Sequence, residues 1–216
     1  MKPTLTTSAS DPFAVLKMMT RVVDGQVAGF VSPPEITGIG VDFDPVPTQV
    51  SEDVGLIVES SGSTGRPKRI EISLAALIAS ANASAKFLGG HGQWLLALPA
   101  NYIAGANVLF RSVVADTQPV IQNTRVPFSA EGFLNSVSLI RGGKPYTSLV
   151  PAQLDRLAAL IDLESQDSGI FAALLGFDAT WVGGQPPNPA TLEVLISRGG
   201  QLAVSYGLGD TSVGVA

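Results

Sequence analysis

The sequence predicts an α/β fold in which a mainly parallel sheet is covered by helices on both faces. Short apolar segments alternate along the chain with segments of helical period. The 216 residues are 45% hydrophobic and only 14% charged, which indicates a well-buried core. Glycine-containing segments follow three predicted strands, at residues 58, 182 and 205. Because such sheets bind ligands at the carboxyl ends of their strands, we expect these segments to converge on one site.

The first predicted helix begins after Asp11, because an aspartate cap followed by Pro12 is a typical helix start. Its apolar positions are Phe13, Leu16 and Val23. Residues 31–53 hold four prolines and are expected to form an extended linker or edge segment. We therefore divide the chain into an N-terminal helix with a proline-rich lead-in, residues 1–53, and a core, residues 54–216.

The core is predicted to alternate strands and helices. Its strands are short runs bounded by glycine or proline, and serine or proline residues mark the helix starts. The predicted strands are 54–58, 69–72, 94–98, 119–122, 146–150, 179–182 and 201–205. The predicted helices are 73–88, 103–114, 129–140, one that begins at Pro151 with Leu154, Leu157 and Leu160 on one face, and 189–198.

Residues 60–68, Ser-Ser-Gly-Ser-Thr-Gly-Arg-Pro-Lys, lie between the first two core strands and indicate a phosphate-holding loop. Its glycines accept unusual backbone angles, its hydroxyls donate hydrogen bonds, and two basic side chains supply positive charge. It is not a Walker A sequence, because Gly65 is followed by Arg-Pro. A flexible turn is the alternative. The residues expected to hold a nucleotide triphosphate are Ser60, Ser61, Gly62, Ser63, Thr64, Gly65, Arg66 and Lys68.

Composition excludes several other classes of function. A net charge of -5 without a Lys/Arg cluster argues against nucleic acid as a partner. The absence of cysteine excludes a disulfide, a thiolate nucleophile and Cys-ligated zinc, and a single histidine, His91, excludes a multi-histidine metal cluster. The sequence shows no apolar run of signal-peptide or membrane-spanning length, so we expect a cytoplasmic protein.

The loop at residues 60–68 resembles the signature of the acyl-adenylate-forming superfamily, Ser/Thr-Ser-Gly-Ser/Thr-Thr-Gly-x-Pro-Lys. This superfamily comprises acyl- and aryl-CoA ligases, peptide-synthetase adenylation domains and luciferases. Two later segments resemble its other motifs: residues 181–186 its Gly-Gly-Ala/Glu-Pro segment, and residues 205–211 its Tyr-Gly-x-Thr-Glu motif. The resemblance implies the N-terminal portion of the acyl-CoA synthetase-like fold.

The resemblance also assigns roles to residues. It implies that ATP is bound with Mg²⁺, that Lys68 and Asp210 are catalytic groups, and that Asp210 is the metal ligand. Two positions depart from the motif: Gly209 removes a hydroxyl, for which Thr211 could supply a neighbouring one, and Asp210 replaces the glutamate with a carboxylate one methylene shorter. The alternative for this segment is a core tyrosine followed by a capped turn. The residues implied at the adenine and α-phosphate are Gly183, Gly184, Gln185, Pro186, Tyr206, Gly207 and Thr211.

A fourth segment suggests the acid. Residues 98–105 resemble the Leu-Pro-x-x-His-x-x-Gly segment of the o-succinylbenzoate:CoA ligases of menaquinone synthesis, with Tyr102 in place of the histidine. In these ligases an arginine nine residues later pairs with the substrate carboxylate, and Arg111 stands at that spacing. The alternative is that Arg111 is a surface charge on a helix. Residues 149–154 also resemble a Val-Pro-Thr-Gln-Leu run of the same ligases.

The resemblance therefore implies ATP-dependent activation of a small carboxylic acid to an acyl-adenylate and then to a CoA thioester, with CoA as cosubstrate. It ends at residue 216, so we expect a truncated AMP-binding core without the C-terminal lid domain. A homo-oligomer is possible. Two alternatives stay open: a non-catalytic nucleotide- or partner-binding remnant of this scaffold, and a ligase for another aryl or acyl acid.

Overall fold

The computed structural model describes residues 1–34, 45–60, 68–161, 169–206 and 214–215. Strands and helices alternate through most of these residues. The strands are β1 (Lys2–Ser8), β2 (Ala28–Ser32), β3 (Gln49–Val50), β4 (Val54–Ser60), β5 (Lys68–Ser73), β6 (Gly92–Leu96), β7 (Val120–Ile121), β8 (Lys144–Leu149), β9 (Ala179–Val182), β10 (Leu202–Tyr206) and β11 (Gly214–Val215). The helices are α1 (Pro12–Val23), α2 (Leu74–Phe87), α3 (Ile103–Val114), α4 (Ala130–Val137), α5 (Pro151–Ala158), α6 (Gly169–Leu175) and α7 (Pro189–Ser197).

The described strands form two sheets. The first has the order β3-β1-β2-β4-β5, in which β1, β2 and β4 are parallel and the edge strands β3 and β5 are antiparallel to their neighbours. The second has the order β11-β10-β9-β8-β6-β7 and is parallel except at its edge strand β11. The α/β fold class is confirmed, whereas the division into two sheets was not predicted.

Three helices lie between the two sheets and share one apolar cluster with both. α1 and α2 pack on the first sheet, α3 packs on the second, and α1 and α2 both pack against α3. Because it is enclosed by the second sheet on one side and by α1 and α2 on the other, α3 is buried along Gly105 to Ser112. The opposite face of the second sheet is covered by α4, α5, α6 and α7, so this sheet has helices on both faces, as predicted.

Two predictions about buried faces are wrong. Phe13 is 65% exposed, whereas the buried positions of α1 are Val15, Met18, Met19 and Val22. These four residues follow the helical i, i+3, i+4, i+7 pattern and face the sheet. Leu160 is 55% exposed, because α5 ends at Ala158 and the residues beyond it leave the buried stripe of Leu154 and Leu157.

The predicted core elements are confirmed with boundary shifts of a few residues, but several elements were missed. β1, β2 and β3 come from residues 1–53 and join β4 in one sheet. β1 is rich in threonine, and β2 is short, so neither carries a strong apolar alternation. α6 and β11 were also not predicted. Residues ahead of the expected core therefore help to build its first sheet.

Candidate active site

The predicted phosphate loop lies at the end of an antiparallel hairpin. β4 pairs with β5 so that Ser60 is opposite Lys68 and Glu59 is opposite Arg69. The predicted loop residues Ser61, Gly62, Ser63, Thr64, Gly65 and Arg66 lie outside the described residues. The hairpin register brings the two ends of residues 60–68 together, and it places Lys68 at the first position after the loop.

Arg69 fastens the base of this hairpin and was missed by the sequence interpretation. Its Nε donates to Glu59 Oε1 at 3.1 Å in an ion pair whose side chains are only 19% and 12% exposed. Its Nη1 donates to the carbonyl of Pro45 at 2.8 Å, and its guanidinium lies 5.4 Å from the ring centroid of Phe30. Arg69 thus ties β5 to β4, to residue 45 and to β2, which limits the positions that the loop ends can take.

The predicted adenine segment follows β9 at the carboxyl edge of the second sheet. The amide of Gly183 donates to the carbonyl of Leu149 at 3.2 Å, which holds the segment to the end of β8. Gly184 has a φ of 91°, a conformation that disfavours any side chain. Gly184, Gln185 and Pro186 are exposed, so their backbone is accessible to a ligand.

The strand that carries Tyr206 lies beside this segment. β10 pairs with β9 in parallel, with Val204 opposite Val182, and it continues for two residues to Tyr206. The backbone of Tyr206 therefore lies level with the residues that follow β9. β11 closes the far side, with Gly214 opposite Tyr206. The predicted residues Gly207, Asp210 and Thr211 lie outside the described residues, as does the side chain of Tyr206.

Tyr102 lies at the same edge of the second sheet, where it precedes the first residue of α3. Its side chain is 56% exposed. The turn that places it is tight, because a Cβ added at Gly105 would lie 2.3 Å from the carbonyl oxygen of Pro99. The glycine of the Leu-Pro-x-x-Tyr-x-x-Gly segment is therefore required by backbone packing, whatever Tyr102 contacts.

Gln153 joins two strand ends at this edge and was not assigned a role from the sequence. Its Oε1 accepts from the amide of Val150 at 3.1 Å, and its Nε2 donates to the carbonyl of Ala97 at 2.8 Å. It therefore links the start of α5 to the chain that leaves β6. Beside it a cavity of about 180 Å³ opens, lined by Pro99 and Gln122 among others. The Val-Pro-x-Gln-Leu run thus has a positioning role.

Arg111 lies in the protein interior, so the alternative of a surface charge on a helix is wrong. Its side chain is 6% exposed, and its guanidinium carbon lies 5.1 Å from the Trp94 ring centroid and 4.7 Å from that of Trp181. Burial lowers the pKa of Arg111 to about 10, because desolvation disfavours the charged form. Arg111 is therefore still a cation at neutral pH.

This cation has no hydrogen-bond partner at Nε or Nη2 among the described residues. Each desolvated cation–π contact contributes about 2 kcal/mol, whereas burial of an unpaired charge costs several kcal/mol. The two indoles hold the guanidinium in place but do not neutralise it. Such an arrangement suits a site that receives an anion.

Comparison with known proteins agrees with this geometry. The profile of the "AMP-binding enzyme" family matches residues 6–216. The chain belongs to this family. The match begins within β1, ahead of the core that was delimited from the sequence.

As an AMP-binding enzyme, the chain is similar to the probable 2-succinylbenzoate–CoA ligase of Mycobacterium tuberculosis, at 36% identity over 93% of this chain and 50% of that protein. It is also similar to the 2-succinylbenzoate–CoA ligase of Bacillus licheniformis, at 33% identity over 76% of this chain and 32% of that protein.

Solved structures of the family share the fold. The O-succinylbenzoate coenzyme A synthetase of Bacillus subtilis in complex with AMP matches 75% of this chain and 32% of that chain, at 26% identity and a TM-score of 0.61. A malonyl-CoA ligase with methylmalonyl-CoA and AMP bound matches 98% of this chain and 53% of that chain, at 18% identity and a TM-score of 0.72. The chain thus spans about half the length of the M. tuberculosis relative and a third of the Bacillus ones.

Two features are absent from the described residues. Within the described ranges, no helix combines the length and apolarity that a membrane crossing needs. In the same ranges, no three histidine or acidic side chains are grouped as metal ligands. The predicted metal ligand, Asp210, lies outside these ranges, so the Mg²⁺ site stays a prediction.

Proposed function

We propose that this chain forms the nucleotide- and acid-binding part of an AMP-forming acid:CoA ligase whose acid is 2-succinylbenzoate, an intermediate of menaquinone synthesis. The observation that carries the proposal is the 36% identity over 200 residues to a probable 2-succinylbenzoate–CoA ligase. The two AMP-binding enzymes with related names in Bacillus support the same acid.

The proposed reaction has two steps. A carboxylate oxygen of the acid attacks the α-phosphorus of ATP, which forms the acyl-adenylate and releases pyrophosphate. The thiol of CoA then attacks the acyl carbonyl, the thioester forms and AMP leaves. Neither step requires a nucleophilic side chain, which suits a sequence that has no cysteine. The protein contributes by positioning the reactants and by neutralising charge.

The nucleotide is proposed to lie between the hairpin and the carboxyl edge of the second sheet. Residues 60–68, with Arg66 and Lys68, would hold the β- and γ-phosphates. Tyr206 and the backbone of residues 183–186 would hold adenine, since β9 and β10 end side by side there. Mg²⁺ bound by Asp210 would offset charge at the α-phosphate.

The acid is proposed to lie along α3. The 2-succinylbenzoate molecule has two carboxylates, one of which is activated while the other needs a counter-charge. Arg111 is a buried cation that lacks one among the described residues. Tyr102, at the other end of α3, would lie near the activated carboxyl, in the place of the histidine of related ligases.

Calorimetric titration of the 216-residue chain with ATP in the presence of magnesium tests the nucleotide half of this proposal. We expect a saturable heat, and the absence of any heat would overturn the proposal. A second calorimetric titration, with 2-succinylbenzoate or benzoate in the presence of ATP, tests the acid by its binding. If 2-succinylbenzoate binds no more tightly than benzoate does, this choice of acid is contradicted.

A further inference from the structure

The carboxyl ends of β6 and β8 are joined by a side chain where the pairing of the two strands stops. The last pair in the register of these strands is Leu96 with Ser148. Beyond this pair, Gln153 bridges the two chain segments, since its Nε2 donates to the carbonyl of Ala97 at 2.8 Å and its Oε1 accepts from the amide of Val150 at 3.1 Å. The bridge therefore limits how far the two strand ends can separate.

The helix that carries Gln153 is anchored in the core, so the bridge has a fixed base. Pro151 starts α5 with the restricted φ of proline, and Leu154 and Leu157 are fully buried against the second sheet. A cavity of about 180 Å³ lies beside the bridge and is lined by Gln153 and Ala97 among others. On that side, hydrogen bonds rather than close packing connect the two strand ends.

One strand end leads to the proposed acid site. The chain from Ala97 continues to Tyr102, which precedes α3. The turn between them is tight, because the amide of Tyr102 donates to the carbonyl of Pro99 at 3.4 Å and a side chain at Gly105 would collide with the same carbonyl. A displacement of Ala97 would therefore shift the start of α3.

The other strand end leads to the proposed adenine site. The carbonyl of Leu149, the residue before Val150, accepts from the amide of Gly183 at 3.2 Å. Leu149 also pairs with Val182 across β8 and β9. The position of Val150 is therefore coupled to that of the segment that begins at Gly183, so the bridge of Gln153 connects the acid end of the proposed site with its nucleotide end.

We propose that Gln153 is a positioning residue that sets the distance between the acid site and the adenine site. The inference rests on the proposed function and deepens it, since Gln153 acts through the two chain segments that it joins and not by contact with a reactant. Correct spacing matters for a molecule that occupies both sites at once, such as the acyl-adenylate, and matters little for an acid or a nucleotide bound alone. Loss of the bridge should therefore act selectively on ligands that span both sites.

The experiment compares a spanning ligand with its two halves by calorimetric titration of the 216-residue chain. The spanning ligand is an acyl-adenylate mimic in which a sulfamate replaces the phosphate between adenosine and the 2-succinylbenzoyl group. The halves are AMP and 2-succinylbenzoate. We expect the wild type to bind the mimic at least about tenfold more tightly than AMP, because the mimic gains the contacts of the acid without a second loss of translational and rotational freedom.

Two variants test the bridge. Gln153→Glu keeps an acceptor for the amide of Val150 but, as an ionised carboxylate, has no proton to donate to the carbonyl of Ala97. Gln153→Leu removes both hydrogen bonds. We expect each variant to weaken binding of the mimic by about tenfold, because the two sites are misplaced relative to each other, and to change the affinities of AMP and of 2-succinylbenzoate by less than about twofold.

Gln93 provides a matched control at the opposite, amino edge of the same sheet. It is also a partly buried glutamine that bridges chain segments. Its Oε1 accepts from the amides of Arg141 and Gly142 at 2.8 and 3.2 Å, and its Nε2 donates to the carbonyl of Gln118 at 2.9 Å. Gln93→Glu therefore removes the same kind of hydrogen bond as Gln153→Glu does, but at the edge away from the proposed site. It should bind the mimic as the wild type does.

The outcomes separate this inference from the proposed function. If the wild type binds the mimic no more tightly than AMP, the proposed function is overturned, and the inference with it. If the wild type binds the mimic tightly but the Gln153 variants weaken it no more than Gln93→Glu does, or weaken AMP and the acid equally, only the inference is overturned. Folding is checked by circular dichroism, and a variant that unfolds is replaced by Gln153→Asn, whose amide is one methylene short of the bridge and which must show the same selective loss.

Discussion

The hairpin that carries residues 60–68 and the helix α3 hold their candidate ligand groups in opposite ways. The hairpin ends in a loop flanked by Lys68, which is exposed, and its base is fastened by the ion pair of Arg69 with Glu59. α3 instead holds Arg111 inside the protein, between two indole rings and without a counter-charge among the described residues. The proposed nucleotide end therefore depends on backbone and surface charge, whereas the proposed acid end depends on core packing.

If the acid end depends on packing, crowding it should have the largest effect on stability. Gly105→Ala would place a Cβ 2.3 Å from the carbonyl oxygen of Pro99, a backbone atom that cannot rotate away as a side chain can. We expect the free energy of unfolding in urea to fall by about 3 kcal/mol. Gly142→Ala is the control, because a Cβ there meets no atom within 4 Å. Equal stability of the two variants would show that the start of α3 is not a rigid frame.

Arg111 differs from an ordinary core residue because it is a buried cation without a counter-charge among the described residues. Arg111→Met replaces a buried, unpaired cation with an apolar side chain of similar length. In the absence of ligand we expect the free energy of unfolding to rise by about 2 kcal/mol, because the desolvation cost is removed. Binding of 2-succinylbenzoate should be lost at the same time. A variant that is less stable than the wild type would indicate a structural role for Arg111. It would contradict the view that α3 holds this cation for a ligand.

The nucleotide end should respond in affinity and not in stability. Lys68→Ala removes a cation next to the phosphate loop, and we expect calorimetry to show ATP affinity reduced by about tenfold. The free energy of unfolding should change little, since Lys68 is exposed. Lys86→Ala, an exposed lysine at the end of α2, is the control and should bind ATP normally. If both variants weaken ATP equally, net charge rather than the loop explains binding.

The smallest expected effect concerns the base of the hairpin. Glu59→Ala removes the partner of Arg69, and we expect unfolding to become easier by about 1 kcal/mol, since both side chains are mostly buried. Glu52 pairs with the N-terminal amine at 2.7 Å, but both groups are more than 60% exposed. Glu52→Ala should therefore leave stability unchanged in the same urea titration, because exposed ion pairs contribute little. If Glu52→Ala lowered the free energy of unfolding more than Glu59→Ala did, the hairpin would not be held by Arg69.

The difference between the two ends also explains what could be read from the sequence. The phosphate loop is nine consecutive residues, so the motif and its flanking strands were visible, and β4 and β5 are confirmed. The boundaries of α3 and β9 were also predicted correctly from period and glycine positions. The stacking of Arg111 on Trp94 and Trp181 was not predictable, because these residues lie 17 and 70 positions away along the chain.

Local sequence patterns also failed to predict features that depend on packing between distant segments. Phe13 and Leu160 are apolar and lie in or near helices, yet they face solvent because α1 and α5 bury other stripes. β1 and β2 are short or polar, and they are strands because β4 lies next to β2 and β2 lies next to β1. Strand formation at such positions depends on a neighbour that sequence periodicity does not reveal.

The sequence by itself determined the order of most core strands and helices, the position of the motif that predicts a phosphate loop, and the family to which the chain belongs, because each of these is encoded in contiguous residues. Only the tertiary structure decided that the strands form two sheets with α1, α2 and α3 between them. That arrangement encloses α3 between the second sheet and the helices α1 and α2, which turns Arg111 and Asn107 from helix residues into buried donors. Burial is a property of the packed layers, so no local pattern in the sequence could have specified it.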